Sequence, residues 1–500
     1  MRQNHESVMS ERSMHTVLLK IQERLQHDEL DLHVNFGLPI LDPTIIKETQ
    51  IARILKEETD FDCRQLQMSV EQMLPTLNFE QKKVFQEVTK SACERLGKLF
   101  CLNASGGTGK TYTMNVILDY LRSQKKIALA TALSGIAATL LHNGRTLHSR
   151  CKVPLSVKDE STCNFSKRDA TGQLMQKADL LLIDEVTMGD RRVFECIDRS
   201  LQDVRKCKKP FGGLTVLFSG DWKQILPVVL HGSRPQIIEA TLKKSYLWQE
   251  LTNLDLTTNV RVTSAGNDTG FQYLLQKIGN GEFPTEPQLG YNKIQLPHDL
   301  LLNSNKLSDL CDFVFENLED NSMNRNWLAN RSIITPTNKA AEKVNLYMIA
   351  KFPGDERIYK SSDSVDNEMQ YPIEFINQLN PSGFPPHILR LKVGCTIMLL
   401  RNLDPYNGHT NGTRYIVKQL HNQIIVAVVA TGSYASNVLL IPRIPHISQE
   451  HEFPFEMKRK QFPIKLAFGM TANKSQGQTL QRMGLTYQPI FSLMANCMFH

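Results

Sequence analysis

The chain has no paired cysteines, no long apolar run and no low-complexity tract, and each lack removes a class of protein. Ten cysteines are scattered over 500 residues; the closest two, Cys93 and Cys101, are eight apart and no C-x-x-C occurs. That spacing suits neither a zinc ribbon nor a redox pair, and a disulfide framework has no place in a chain of this length. The expectation is a reduced, intracellular protein. The opening residues, MRQNHESVMSERS, contain no apolar h-region, so no secretory signal is expected. The longest nearly apolar run, Ile127–Leu141, is 15 residues broken by Thr131, Ser134 and Gly135. It falls short of the ~20 that a membrane-spanning helix requires, and no membrane partner is expected. Aromatics are few, at 7%, but 41% apolar and 22% charged residues are ordinary globular values, which exclude a disordered or fibrous chain.

Acidic residues dominate only the front. Residues 1–75 hold 8 basic and 13 acidic side chains, whereas the rest carries 50 against 38, a net charge of +12. A basic body of that kind fits a polyanionic partner. The length predicts roughly three units at about 150 residues each. The acidic stretch 1–75 shows short helical patterns and no recognisable chemistry. A helix is predicted to start at Asn78, with Gln81 three residues later completing a capping box. From Leu99 onward, short apolar runs (LFCL 99–102, IALAT 127–131, LLLID 180–184, LTVLFSG 214–220) alternate with amphipathic stretches such as Met114, Ile117, Leu118 and Leu121. Such alternation predicts an α/β fold, a parallel sheet with helices on both faces. A second set of this kind is expected at RSIITPT (331–337) and FPIKLAFGM (462–470). Between them CTIMLL, TRYIV, IIVAVVA and VLLIP, parted by Gly, Asn and Ser, predict a small antiparallel insert at about 390–460. The expected division is an acidic segment 1–75, a first unit 76–265 and a second unit 266–500 that holds the insert.

The strongest local signal is Ala104-Ser105-Gly106-Gly107-Thr108-Gly109-Lys110-Thr111, placed between a strand and a helix. It matches the phosphate-binding loop, with Ala104 at the usual first glycine. The glycines let backbone N–H groups turn in around phosphates, and the following helix N-terminus adds a positive dipole. Lys110 would reach the β- and γ-phosphates of a nucleoside triphosphate, and Thr111 would ligate Mg²⁺. Strand 180–183 runs directly into Asp184 and Glu185: Asp184 suits the Mg²⁺ shell, Glu185 the base that activates a water. A third strand ends in SGDWKQ (219–224), which places Gln224 where it could sense the γ-phosphate. Trp222 reads equally as a core aromatic or a base-stacking platform. No N-K-x-D stretch is present to read guanine, which favours ATP.

FGGLTVLFSGDWKQ through LTTNVR (211–261), SGIAATLLHNGRTLHS (134–149) and FGMTANKSQGQTL (468–480) together resemble the PIF-type DNA helicases of superfamily one, most closely the helicase region of Helitron transposons. The resemblance spans about residues 75–490. It implies two RecA-like P-loop domains, ATP and Mg²⁺ as cofactors, and single-stranded and duplex DNA as partners. It implies five-prime-to-three-prime movement, a nuclear location in a eukaryote, and service in repair, recombination, telomere upkeep or element mobility. By position, Gln81 matches an adenine-reading glutamine and Arg261 an arginine that contacts the γ-phosphate. Thr146 and His148 match a strand-contacting motif, although His148 reads equally as a satisfied loop histidine. Gly408 and Asn411-Gly412-Thr413 match a motif of the insert. Thr471, Lys474, Ser475, Gln476 and Gly477 match the loop that touches the DNA backbone. The family continues with a strand ending in Ala-Leu-Ser-Arg, whereas this sequence reaches His500 near the expected start of that strand. The expectation is therefore a C-terminally truncated helicase, with an impaired ATP- and DNA-binding remnant as the alternative.

Overall fold

A computed structural model describes residues 14, 17, 18, 21, 22, 32–39, 43–229, 232–260, 269–286, 288, 293–304, 306–365, 371–381, 383–404, 407–432, 434–448 and 453–486. Arg261 and residues 487–500, where the expected truncated ending falls, lie outside the described residues.

Six parallel strands form the first sheet: β1 (Leu99–Ala104), β2 (Ala128–Ala132), β3 (Arg145–Thr146), β4 (Leu180–Asp184), β5 (Thr215–Gly220) and β6 (Leu251–Leu256). Their order is β3-β2-β4-β5-β1-β6. The strands alternate two-sidedly, as a sheet covered on both faces must. Phe100, Leu102, Leu180, Leu182 and Leu217 join one core with Val84, Val88, Met114, Ile117 and Leu121. Leu99, Leu181, Ile183, Val216 and Phe218 join a second core on the opposite face, with Phe194, Ile197 and Leu201. Each such side chain contributes ~1.5–3 kcal/mol on leaving water. Helices α1 (Phe79–Cys93) and α2 (Lys110–Ser123) supply the first layer and α3 (Arg191–Arg205) the second.

The acidic front does not stand apart where it is described. Helices Pro43–Thr59 and Cys63–Met73 lie on the first unit: Ile54 and Leu55 pack against its second core, and Arg122 sits 4.9 Å above the Phe61 ring.

The second half is built differently. Strand β7 (Arg331–Thr335) is the centre of a three-stranded parallel sheet, between β18 (Gly469–Thr471) and β19 (Arg482–Leu485). Helix α4 (Asn338–Lys351) covers it, with Val344 and Met348 in the core. The same core runs on into a five-stranded antiparallel sheet, β14-β13-β12-β11-β17. It comprises β11 (Thr396–Leu399), β12 (Arg414–Leu420), β13 (Ile424–Val429), β14 (Val438–Pro442) and β17 (Ile464–Leu466). Antiparallel pairing opens at Arg357, where β8 (Arg357–Lys360) pairs with β10 (Ile388–Leu391), and ends at Leu466; it therefore extends beyond 390–460 on both sides. A further small sheet of β15 (Ile444–Ile447), β16 (Met457–Gln461) and β9 (Ser362–Val365) is keyed by a fully buried pair, with Arg459 Nη2 2.6 Å from Asp363 Oδ2.

One sequence expectation is corrected. FPIKLAFGM is not a single parallel strand. Ile464–Leu466 pairs antiparallel with β11, and only Gly469–Thr471 returns to run parallel with β7. An unbroken apolar run reports burial on both faces but carries no information on partner direction.

Candidate functional site

The C-terminal ends of β1, β4 and β5 share one edge of the first sheet, where open α/β sheets bind ligands. β1 delivers the glycine loop there. Ala104 is still in strand pairing, opposite Leu256, so its methyl group needs no special backbone conformation. Gly107 and Gly109 have φ of 84° and 79°, a left-handed conformation that glycine adopts without penalty. A Cβ on Gly107 would stand 2.6 Å from Asn259 Oδ1, and one on Gly109 would strike the Gln81 amide. Ser105 accepts from the Thr108 N–H at 3.3 Å and from its hydroxyl at 2.8 Å, which closes the turn below Gly106.

Asn78 caps α1 as expected. Its Oδ1 accepts from the Gln81 N–H at 2.9 Å, while Gln81 Oε1 accepts from the Asn78 N–H at 3.0 Å. The remaining end of that amide, Nε2, donates to the Thr108 carbonyl at 3.0 Å. Gln81 therefore braces the glycine loop, and adenine reading requires its amide to exchange a partner.

Lys110 opens α2 with its Nζ 2.9 Å from Asp184 Oδ1 and 2.9 Å from Glu185 Oε1. Burial works against the charged amine, but the two carboxylates outweigh it and hold Lys110 well above the ordinary lysine range. Burial lifts the Asp184 carboxyl above its ordinary range; Lys110 opposes that shift and Glu185 reinforces it. Glu185 is itself unusual. Its φ of 58° is left-handed, which costs ~1–3 kcal/mol for a non-glycine residue, and its Oε2 is buried without a hydrogen-bond partner. Neither the strain nor the orphaned oxygen stabilises the fold. The Asp184 carboxylate and the Thr111 hydroxyl, in the next position after Lys110, are hard oxygen donors of the kind Mg²⁺ selects, so the residues fit that ion. Among the described residues no cluster of three His, Cys, Asp or Glu side chains forms a self-contained metal site.

Gln224 follows β5, between the glycine loop and the acids. It is buried; Nε2 donates to Asp221 Oδ2 at 3.3 Å, and Oε1 accepts from Gln476 Nε2 at 3.4 Å. Gln476 belongs to the second half, and its own Oε1 is buried without a partner. The two halves also meet where Gly135 and Ile136 lie against Thr410, Gly412 and Gly477. A Cβ on Gly412 or on Gly477 would come within 2.9 Å of the Ile136 side chain. Glycine at those two positions permits that close approach.

The expected DNA contacts are dispersed. Thr146 ends β3 and is the N-cap residue of the short helix Leu147–Cys151, which carries a half-buried His148. Burial lowers the His148 pKa, which favours the neutral ring. In the second half Thr471 and Lys474, with Asn338, Arg390 and Lys465, line a cleft of about 600 Å³ that neither Thr146 nor His148 reaches. Lys474 Nζ donates to Asn411 Oδ1 at 2.8 Å; burial, helped by Lys465, lowers its pKa to about 8. Among the described residues neither lysine forms an ion pair.

Three residues expected at the DNA have partners within the protein. Trp222 is half-buried against the second core; its ring meets Trp248 edge-on with centroids 5.4 Å apart, and Lys243 Nζ stands 4.5 Å over it. Ser475 is buried and spends its hydroxyl on the Ala472 carbonyl at 2.8 Å. Gln476 donates through Nε2 to Gln224 Oε1 at 3.4 Å. Sequence reading passed over Asn259, which donates to the Gly106 carbonyl at 3.2 Å, and Lys465, the one charge inside FPIKLAFGM. Lys465 left a signal in its apolar surroundings; Asn259 left none beyond its nearness to Arg261.

Comparison with known proteins places these features in a family. Residues 76–288 match the family model "PIF1-like helicase", and 374–420 match "DNA helicase Pif1, 2B domain". The chain is 27% identical over 331 residues to the ATP-dependent DNA helicase Pif1 of a Psychrobacter species, which covers 64% of this chain and 44% of that protein. It is 25% identical over 443 residues to human ATP-dependent DNA helicase PIF1, covering 85% and 59% respectively. The chain thus spans about half the length of the curated relatives it matches. Among solved structures, Pif1 from Bacteroides in complex with ADP-AlF3 and ssDNA aligns with a TM-score of 0.59 at 22% identity, covering 83% of this chain and 87% of that one.

Proposed function

From the premise that the chain belongs to the PIF1-like helicase family, we propose that it is an ATP-driven motor that moves along single-stranded DNA and parts duplex. The observation that carries this reading is the contact between Gln224, beside the nucleotide residues, and Gln476, on the loop that holds Lys474. It joins the hydrolytic site to the cationic cleft through one pair of amides.

In this reading ATP enters over Gly106–Lys110, and its β- and γ-phosphates take Lys110 from the two carboxylates. Thr111 and Asp184 would hold Mg²⁺, which when bound would supply neutralising charge to the phosphate. Glu185, released from Lys110, orients a water and accepts its proton, because in-line phosphoryl transfer depends on positioning and electrostatics. Gln224 meets the γ-phosphate and passes its loss to Gln476, and Arg261 adds a positive charge from the first unit. Lys474, Lys465 and Thr471 hold phosphodiesters from the second unit while Thr146 and His148 hold the strand from the first. Alternating grip between units 76–265 and 266–500 then moves the strand one step per ATP. Movement from five-prime to three-prime, a nuclear location in a eukaryote, and duty in repair, recombination, telomere upkeep or transposon mobility complete the proposal.

The test is ATP hydrolysis by the purified chain against single-stranded DNA concentration, with strand separation measured on a forked duplex. Saturable stimulation by single strands together with fork opening supports the motor. Hydrolysis indifferent to DNA overturns it.

A further inference from the structure

Helix Pro43–Thr59 lies outside the matched family models, which begin at residue 76, and no part of the proposed cycle uses it. It is nonetheless tied to the segment that carries Thr146 and His148. Arg145, one residue before Thr146, places Nη2 2.7 Å from Glu57 Oε2. Arg150, two residues after His148, bonds through Nη2 to Glu58 Oε1 in a pair that is almost wholly buried. Asn143 donates to the Glu57 carbonyl at 3.2 Å and to Glu58 Oε1 at 3.1 Å. Three attachments thus bracket the strand-contacting turn from both sides, and all three end on two adjacent residues of one helix.

Charge compensation explains why. Arg122, Arg145 and Arg150 crowd together: Arg150 adds to burial in lowering the pKa of both neighbours, while Glu58 opposes it. From the first unit Asp119 acts on Arg122, and its Oδ1 is already held by His142 at 2.9 Å. Burying a charge is costly unless it is paired, and Glu57 and Glu58 supply carboxylates to Arg145 and Arg150 from outside the sheet.

We infer that Glu57 and Glu58 are positioning residues for single-stranded DNA: they hold Arg145 and Arg150, and thereby set the turn that presents Thr146 and His148. The inference rests on the reading of that turn as a strand contact. Glu57 and Glu58 therefore brace the motor's grip from a helix outside the matched family models.

The experiment measures ATP hydrolysis by the full chain, without DNA and across a titration of single-stranded oligothymidylate. Glu58→Gln should raise the DNA concentration for half-maximal stimulation about tenfold, corresponding to one lost charge-assisted attachment of ~1.4 kcal/mol. Glu57→Gln, at the accessible rim, should raise it about threefold. Hydrolysis without DNA and the KM for ATP should stay within about twofold of wild type. The exchange Glu57→Arg with Arg145→Glu should restore the half-saturation lost by either single change. Glu57→Gln and the exchange decide the matter even if Glu58→Gln does not fold. An unchanged half-saturation, or an equal fall of the DNA-free and DNA-stimulated rates, overturns the inference. A wild-type chain that DNA does not stimulate defeats the motor reading itself, and the two failures are therefore distinct.

Discussion

Lys110 and Lys474 are the same residue type held half-buried in opposite electrostatic settings. In the first unit Asp184 and Glu185 close on Lys110 at 2.9 Å each, and its amine is held above the ordinary range. In the second unit Lys474 has an amide for its partner and Lys465 for its neighbour, and its amine falls to about 8. A compensated cation beside two acids suits a site where a phosphate and a divalent ion exchange charge with the protein. An uncompensated pair of lysines suits a site that takes a polyanion and gives back only small counterions. The difference separates the chemistry of the two halves even though each contains a parallel sheet covered by helix.

The contrast breaks most severely if the compensated lysine proves dispensable. Lys110→Ala should lower ATP hydrolysis by at least ~10²–10³-fold and Glu185→Gln by ~10²–10⁴-fold, with DNA affinity nearly unchanged in both. Phosphate release and fluorescence anisotropy on a labelled oligonucleotide measure the two quantities; near-normal turnover in either variant removes that residue from the site.

The uncompensated lysine should show itself through pH and salt. DNA affinity should weaken as pH rises through about 8, since Lys474 loses its proton there. Fold stability should move the other way. The unfolded chain keeps that proton up to the ordinary value of 10.5 while the folded one has lost it, so between about 8 and 10.5 the unfolded state binds more protons and stability rises with pH. Lys474→Met should weaken binding of a single strand about tenfold, reduce the salt slope by about 0.7 and flatten the pH response. An unaltered salt slope would leave the cleft without its proposed occupant.

The smallest expected effect lies between the halves. Gln476→Ala should leave ATP binding and DNA binding in place but reduce DNA stimulation of hydrolysis a few-fold, a loss of ~0.5–1.5 kcal/mol for one neutral hydrogen bond. Stimulation at the wild-type level would show that the halves communicate elsewhere, for instance through Ile136 and Gly412.

Some of this molecule is written locally and some is not. The glycine loop, its lysine and the acids after β4 form contiguous patterns, because a phosphate cradle is made by consecutive backbone N–H groups and by residues that directly follow a buried strand. The capping box of Asn78 and Gln81 is equally local, and the short continuous apolar runs of β1, β4 and β5 are enough to indicate a sheet covered on both faces. Pairing direction is not local, and FPIKLAFGM splits between two sheets for that reason. Nor is partnership across the chain: Gln224 with Gln476, Asn259 with Gly106, and Glu58 with Arg150 are separated by 252, 153 and 92 residues. The primary structure decided which groups can grip a triphosphate, since neighbours along a backbone are neighbours in space. Only the folded chain decided which distant side chains compensate, orient or couple them, because burial, charge balance and close approach exist only once remote segments have packed together.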